Sequence, residues 1–396
     1  MTLSHGRDLF LTPGPSVIPD RVLNAMHKAA PNIYEGPLIA QTEGIMARLK
    51  TVAQTGGTPA IYIANGHGAW EASLTNVLEP GQKMLALATG RFGHGYAETA
   101  QRMGIDVQIL DFGTTTGFDP QKVEEALRAD VNHEIRVVTS VQTDTSTSVS
   151  NDIPALRAAL DAAGHPALLM VDCIASLGCE RFEMDKWGVD VMVAGCQKGL
   201  MTPPGLAFTF HNDKAQAVSE KVNKTSPYWD WEPRVHPQMY YQQFGGTPPT
   251  HLLFGLDEAL KMIVDEEGIE NVWQRHRVQA EAVWAAIDVW GEAGALQCNV
   301  PARADRSTAV TTVVSETHDL TKLRVWCEES AGLVLGIGLG AIWPDPDRIM
   351  RIGHMGHMNP PMLLGALATI DAGLKALDIP HGSGALDTAS AVIAAG

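Results

Sequence analysis

The sequence predicts an α/β protein, a large domain with a mostly parallel sheet plus a smaller C-terminal α/β domain. Three observations predict it. From about residue 58 to 210, short apolar runs alternate with helical segments, the pattern of strand–crossover–strand units. A glycine-rich turn, Asn65-Gly66-His67-Gly68, joins the first of those runs to a helix. Beyond Leu256 the texture changes to long charged helices with isolated strands between them.

In order, the strand-like runs are Ala60 to Ala64, Lys83 to Ala88, Val107 to Leu110, Arg136 to Val141, Ala167 to Asp172, Val189 to Ala194 and Leu206 to Phe210. Trp70, Leu74, Val77 and Leu78 have helical spacing, as do the segments Val123 to Arg128 and Ile153 to Ala163. A long helix is expected over roughly Gly255 to Trp290. It is followed by a strand Ala309 to Val314, a helix Leu320 to Glu328, a strand Ile349 to Gly353 and a helix Pro361 to Leu374. The expected division is 1–265, an N-terminal segment with the large domain, and 266–396, the small domain. The tail from Gly382 carries only a short Ala-rich helix signal.

Composition narrows the class. With 29 basic against 45 acidic residues, the formal charge is −16, which argues against nucleic acid or an anionic membrane as partner. Five cysteines without a regular framework fit a reducing compartment. No Cys/His spacing matches a zinc site, so no metal is expected. The first eight residues lack a charged-then-apolar signal pattern, and no run reaches a membrane span. A soluble, cytoplasmic protein is expected.

The chemistry gathers around two residues. Lys198 lies in Ala194-Gly195-Cys196-Gln197-Lys198-Gly199, just past one apolar run. Asp172 ends another run, 26 residues before Lys198. In open α/β sheets ligands bind off the carboxyl ends of strands, where both residues fall. A lysine amine that can form a Schiff base with an aldehyde, and an acid that can keep a pyridine nitrogen protonated, are what pyridoxal 5′-phosphate requires. The turn at Gly66, His67 and Gly68 offers free N–H groups at a helix N-terminus, which suits a phosphate; His67 either touches that phosphate or fills the turn. Gln197 is a phosphate donor or a loop glutamine. Thr247, in Phe244-Gly245-Gly246-Thr247-Pro248-Pro249, is a hydroxyl donor or part of a structural turn. Phe92 either stacks on a cofactor ring or belongs to the core. Arg351 interrupts an apolar strand, so it is either a fork for a carboxylate or half of a salt bridge. Cys196 reads as buried packing.

Together these residues resemble the class V aminotransferases of the pyridoxal-phosphate fold-type I group, most of all serine–glyoxylate and alanine–glyoxylate aminotransferases. The resemblance runs from Leu11-Thr12-Pro13-Gly14-Pro15 to Gly382-Ser383-Gly384. Its most specific pieces are Gly195-Cys196-Gln197-Lys198-Gly199-Leu200-Met201 with Pro203-Pro204-Gly205-Leu206, Val171-Asp172 with Ser176, and Arg351-Ile352-Gly353-His354. It implies that Lys198 carries the cofactor and shuttles the proton, with Asp172 on the pyridine nitrogen and Phe92 stacked on the ring. Thr145 supplies a hydroxyl near cofactor and substrate. Gly66, His67 and Gln197 hold the phosphate, and Arg351 clamps the substrate carboxylate. Thr247 reaches the phosphate of a neighbouring subunit, which implies a homodimer with shared active sites. The partners implied are small amino and keto acids, with a small 2-amino acid (serine, alanine or aspartate) as donor and glyoxylate as acceptor.

Three departures stand out. Many relatives carry Asp-His-Arg where this chain reads Asn32-Ile33-Tyr34-Glu35-Gly36; that segment is expected near the substrate mouth, with Tyr34 in contact with substrate. Phe244 stands where relatives often have tyrosine. Asn65-Gly66-His67-Gly68 replaces the usual Ser-Gly-Thr-Gly loop. Pyridoxamine–pyruvate aminotransferases also lack Asp-His-Arg, which keeps a pyruvate-using enzyme as the alternative. A class V lyase of the cysteine desulfurase type needs a mobile cysteine and a histidine before its lysine; here Gln197 precedes Lys198, and Cys327 reads as helical. A catalytically silent relative would have lost the lysine or the aspartate, and both are present.

Overall fold

The computed structural model describes residues 2–396. In chain order its strands are β1 (Leu9–Leu11), β2 (Thr58–Ala64), β3 (Lys83–Ala88), β4 (Asp106–Asp111), β5 (Ile135–Val141), the short pair β6 (Thr143–Asp144) and β7 (Val149–Ser150), β8 (Leu168–Asp172), β9 (Val191–Gly195), β10 (Gly205–His211), β11 (Gln297–Cys298), β12 (Val310–Val314), β13 (Leu333–Ile337) and β14 (Ile349–Gly353).

The large sheet has the order β2-β10-β9-β8-β5-β3-β4. Its β9, β8, β5, β3 and β4 are mutually parallel, while β10 runs antiparallel to both β9 and β2. The strands are near-continuously apolar because both faces are covered. In β3, Leu85 and Leu87 belong to the core on one face, and Met84 and Ala86 to the core on the other. In β8, Leu169 and Val171 divide from Leu168 and Met170 in the same way. Each large apolar side chain so buried contributes roughly 1.5–3 kcal/mol. The sheet is therefore held by its two faces, and its carboxyl edge is left to polar residues.

The second sheet has the order β1-β13-β14-β12-β11. Its core joins Leu335, Met350 and Ile352 to Val283, Ile287 and Trp290 of the helix Ile269–Trp290 and to Leu367 and Ile370 of the helix Pro360–Ala376. Two features differ from the expectation. The N-terminal strand β1 pairs in parallel with β13, Leu9 opposite Leu333, so the start of the chain is built into the small sheet. The expected continuous helix over Gly255 to Trp290 is three pieces: an α-helix Thr250–Leu260, a π-helical turn Lys261–Glu267, and the helix from Ile269. The break is at Gly268, whose φ of 80° and ψ of 134° lie outside any helix and suit only a residue without Cβ. The expected division at residue 265 falls within the π-helical turn. The Ala-rich tail forms the helix Ala385–Ala395, with Ala385 and Ala389 in the small-domain core.

Candidate active site

Strands β2, β3, β5, β8 and β9 all end on one edge of the large sheet. Asn65, Gly66, His67, Phe92, Thr145, Asp172, Gln197 and Lys198 line a cavity of about 200 Å³ there, together with Trp70, Val141, Thr143, Ile174 and Ala175. Seven of the residues expected from the sequence, which lie as far apart as Gly66 and Lys198, therefore meet in one place.

Asp172 is the last residue of β8 and only 2% exposed. Its Oδ1 accepts the Ile174 N–H at 2.7 Å, and its Oδ2 accepts the indole N–H of Trp70 at 2.7 Å. Burial pushes the carboxyl up to about 7; the two donors and the nearby Lys198 pull it back, while Asp144 pushes with burial. Lys198 projects into the same cavity, and its Nζ donates to the carbonyl of Pro13. Burial, and then the charge of Arg351, bring its amine down to about 8.

The turn after β2, expected from the sequence to hold a phosphate, forms one side of the cavity. Asn65 caps the helix Gly66–Val77, its side chain accepting the His67 N–H at 3.1 Å. That occupies the His67 N–H, and among the described residues no acceptor meets the N–H of Gly66 or Gly68. A Cβ at Gly66 would strike Ile174. Gly68 is not part of the cavity wall: a Cβ there would come within 2.7 Å of Ala64 and 3.0 Å of Trp229, so this glycine lets helix and strand pack closely. The amide oxygen of Gln197 is buried with no partner. Free helix N–H groups and the Gln197 side-chain NH2, which makes no hydrogen bond to the described residues, are donors for a phosphate, and with a buried acid and a lysine in the same cavity the residues fit a phosphorylated pyridine aldehyde.

Phe92 opens the helix Arg91–Arg102 and is held by its backbone, its N–H donating to Asp144 at 2.8 Å. Asp144 also accepts the Gly93 N–H at 3.2 Å and the Ser146 N–H and hydroxyl at 3.0 and 2.5 Å. It ties the aromatic to the loop that carries Thr145. Arg351, 6% exposed in β14, donates from Nε to the Ile337 carbonyl at 2.7 Å and from Nη1 to the Thr145 carbonyl at 2.8 Å. No carboxylate pairs with it among the described residues. It stands behind Thr145 rather than in the cavity wall, and burial lowers its guanidinium to about 10.

Two expected site residues lie elsewhere in the single chain. Thr247 is exposed, and Tyr34 is 74% exposed; neither lines the Lys198 cavity. Cys327 is buried in the helix Leu320–Ala331, its thiol pushed up to about 12 by burial, the opposite of a mobile nucleophile. Sequence reasoning missed Trp70 and Asp144 as parts of the site. Trp70 reads as one more apolar helix position. A buried tryptophan still needs an acceptor for its N–H, and that was the available signal.

The fold and the site together define an aminotransferase. The family described as Aminotransferase class-V matches residues 10–342, and the chain belongs to that family. It is 39% identical to a serine–glyoxylate aminotransferase of Methylorubrum extorquens, over 97% of this chain and 95% of that one. It is 36% identical to an L-aspartate–glyoxylate aminotransferase of Paracoccus denitrificans, over 93% and 91%. Among solved structures it is similar to a pyridoxamine–pyruvate aminotransferase from Mesorhizobium loti, with a TM-score of 0.89, 26% identity and full coverage of both chains. Among the described residues, no helix is long and apolar enough to cross a membrane.

Proposed function

We propose that this aminotransferase uses pyridoxal 5′-phosphate to move the amino group of a small 2-amino acid to glyoxylate. The observation that carries the reading is the placement of Lys198 and Asp172 in one cavity at the carboxyl edge of the sheet, beside a free helix N-terminus. The cofactor, when bound, supplies an electron sink for the bond that breaks at the substrate Cα. Lys198 anchors it through its aldehyde and, once released, carries the proton from Cα as general base. An amine lowered to about 8 is suited to that task near neutral pH. Asp172 holds a proton on the ring nitrogen. Gly66, His67 and Gln197 bind the phosphate, with the Gly68 N–H beside them, and Phe92 covers the ring. Thr145 places a hydroxyl near the substrate, and Arg351 fixes its α-carboxylate. Exposed Thr247 reaches the phosphate of a second copy, so the working unit is a homodimer with shared sites, and Tyr34 borders the substrate mouth.

Glyoxylate as acceptor is favoured by the names of the relatives, which take serine or aspartate as donor. The structural likeness to a pyridoxamine–pyruvate enzyme, with the Asn32-Ile33-Tyr34-Glu35-Gly36 segment, supports pyruvate as the second reading. One experiment separates them. Purified enzyme is given serine or aspartate against glyoxylate, pyruvate and 2-oxoglutarate, and alanine against glyoxylate and 2-oxoglutarate, and the amino-acid products are quantified. Glycine formed fastest supports the first reading; preference for pyruvate supports the second, and preference for 2-oxoglutarate sinks both. Mixing Lys198→Ala, expected to be inactive, with Thr247→Val, expected to hold the cofactor about 10- to 100-fold more weakly, tests the shared site: at limiting cofactor the hybrid dimers should be more active than either variant alone.

A further inference from the structure

Trp70 lies in the helix that begins at the phosphate turn, yet its indole reaches the other end of the cofactor site. The N–H donates to Asp172 Oδ2 at 2.7 Å, while the Ile174 N–H occupies Oδ1 at 2.7 Å. Both partners are donors that cannot accept, so each favours the ionised carboxylate over the neutral acid. The indole is also clamped. It stacks on Tyr96 at 5.2 Å with 12° between the planes, meets His67 edge-on at 4.7 Å, and meets Phe92 at 6.3 Å. Tyr96 is itself fixed by a 2.7 Å hydrogen bond between its hydroxyl and that of Ser73. One buried ring thus touches the acid, the stacking aromatic and the phosphate-loop histidine.

We propose that Trp70 is a positioning residue, whose indole N–H keeps the Asp172 carboxylate ionised and aimed so that the cofactor's ring nitrogen stays protonated. This rests on the pyridoxal-phosphate reading of the site. Burial alone works against an ionised Asp172, and no lysine or arginine forms an ion pair with it among the described residues. The two N–H donors oppose burial ahead of the charge of Lys198, and of the two only the one on Trp70 belongs to a side chain that evolution or an experiment can change. Loss of a hydrogen bond to a buried charge shifts such an equilibrium by about 10- to 100-fold, or about one to two pH units.

The test uses holoenzyme loaded with pyridoxal phosphate carrying ¹⁵N in the ring. Position 70 is replaced by benzothienylalanine, which keeps the bicycle and removes the N–H, and separately by Trp70→Phe. The ¹⁵N shift reports ring-nitrogen protonation across pH, and equilibrium dialysis reports cofactor affinity. In both replacements the ring nitrogen should lose its proton about one to two pH units earlier than in the parent, with weaker cofactor retention. Tyr96→Phe, which removes only the hydroxyl beneath the indole, should leave the ¹⁵N profile unmoved. An unchanged profile in the benzothienylalanine protein would overturn the role of Trp70 while leaving the cofactor reading standing. Failure of the parent to bind the cofactor at Lys198 at all would instead remove that reading and the inference with it.

Discussion

Arg351 and Thr145 are joined by a 2.8 Å hydrogen bond from Nη1 to the backbone carbonyl, which ties a strand of the small sheet to the polar loop after β5. With Nε on the Ile337 carbonyl at 2.7 Å, the guanidinium plane is fixed and Nη2 makes no hydrogen bond to the described residues. A lysine cannot hold both carbonyls and present a further donor in the same plane. Arg351→Lys should therefore lower kcat/KM for the amino donor by about 10- to 100-fold, mostly through KM, with cofactor affinity nearly unchanged. Steady-state kinetics beside equilibrium dialysis of the cofactor checks both halves. Unchanged KM would show that Arg351 serves only the Thr145 loop.

The lysine that would hold the cofactor should be identifiable by titration. Its amine is lowered to about 8, first by burial and then by Arg351. Only the neutral amine attacks an aldehyde, so capture of pyridoxal phosphate by cofactor-free protein should accelerate as pH rises to about 8 and level off above it. An ordinary surface lysine would still be accelerating at pH 10. Arg351→Met removes the neighbouring charge and should move the inflection to higher pH. Stopped-flow absorbance across pH 6–10, with Lys198→Ala as the blank, measures it.

Much of this site was legible because its residues sit where apolar runs stop. Lys83 to Ala88, Ile153 to Ala163 and Ile349 to Gly353 form elements with the expected limits, since each is bounded by a change in polarity that burial enforces. The strands β1 and β13 were not legible. Both are short; β1 is a strand only because β13 lies beside it, more than 300 residues away in the chain, and β13 is held between β1 and β14. Asp144 was hidden for a different reason. Gln142 to Ser148 is a polar run that reads as a solvated loop, yet every residue in it is buried. Its hydroxyls and carboxylate satisfy one another and the helix Arg91–Arg102, which periodicity cannot reveal.

Gly90 shows how tightly that loop is packed. A Cβ there would lie 2.5 Å from the Asp144 carboxyl carbon and within 2.8 Å of both its oxygens. The backbone at Gly90 is extended, so the objection to a side chain is crowding rather than conformation. Gly90→Ala must displace Asp144, and with it the backbone of Phe92. A loss of about 1–3 kcal/mol in stability is expected, accompanied by weaker cofactor binding. Denaturant melts and cofactor dialysis together test it; destabilisation without any change in cofactor affinity would mean that Phe92 does not depend on Asp144 for its position.

Glu180 gives a prediction about pH that does not involve the cofactor. Its carboxylate is buried and accepts the hydroxyls of Thr143, Ser150 and Ser307 at 2.7, 2.9 and 2.6 Å, with no ion pair to a basic side chain among the described residues. Burial raises its carboxyl above the ordinary range, against the pull of those hydroxyls. The folded chain therefore binds this proton more tightly than the unfolded chain does. The resulting stability is fully present below the unfolded carboxyl range and is lost as pH rises through the folded one. Glu180→Gln removes the titration and keeps the shape, and a serine or threonine hydroxyl can turn to accept from the new amide. The variant should thus gain on the parent as pH rises, with its Tm relative to the parent higher at pH 8 than at pH 5. Thermal melts at the two pH values decide it; a variant that loses ground at pH 8 would show that the ionised carboxylate, held by three hydroxyls, is the form the fold prefers.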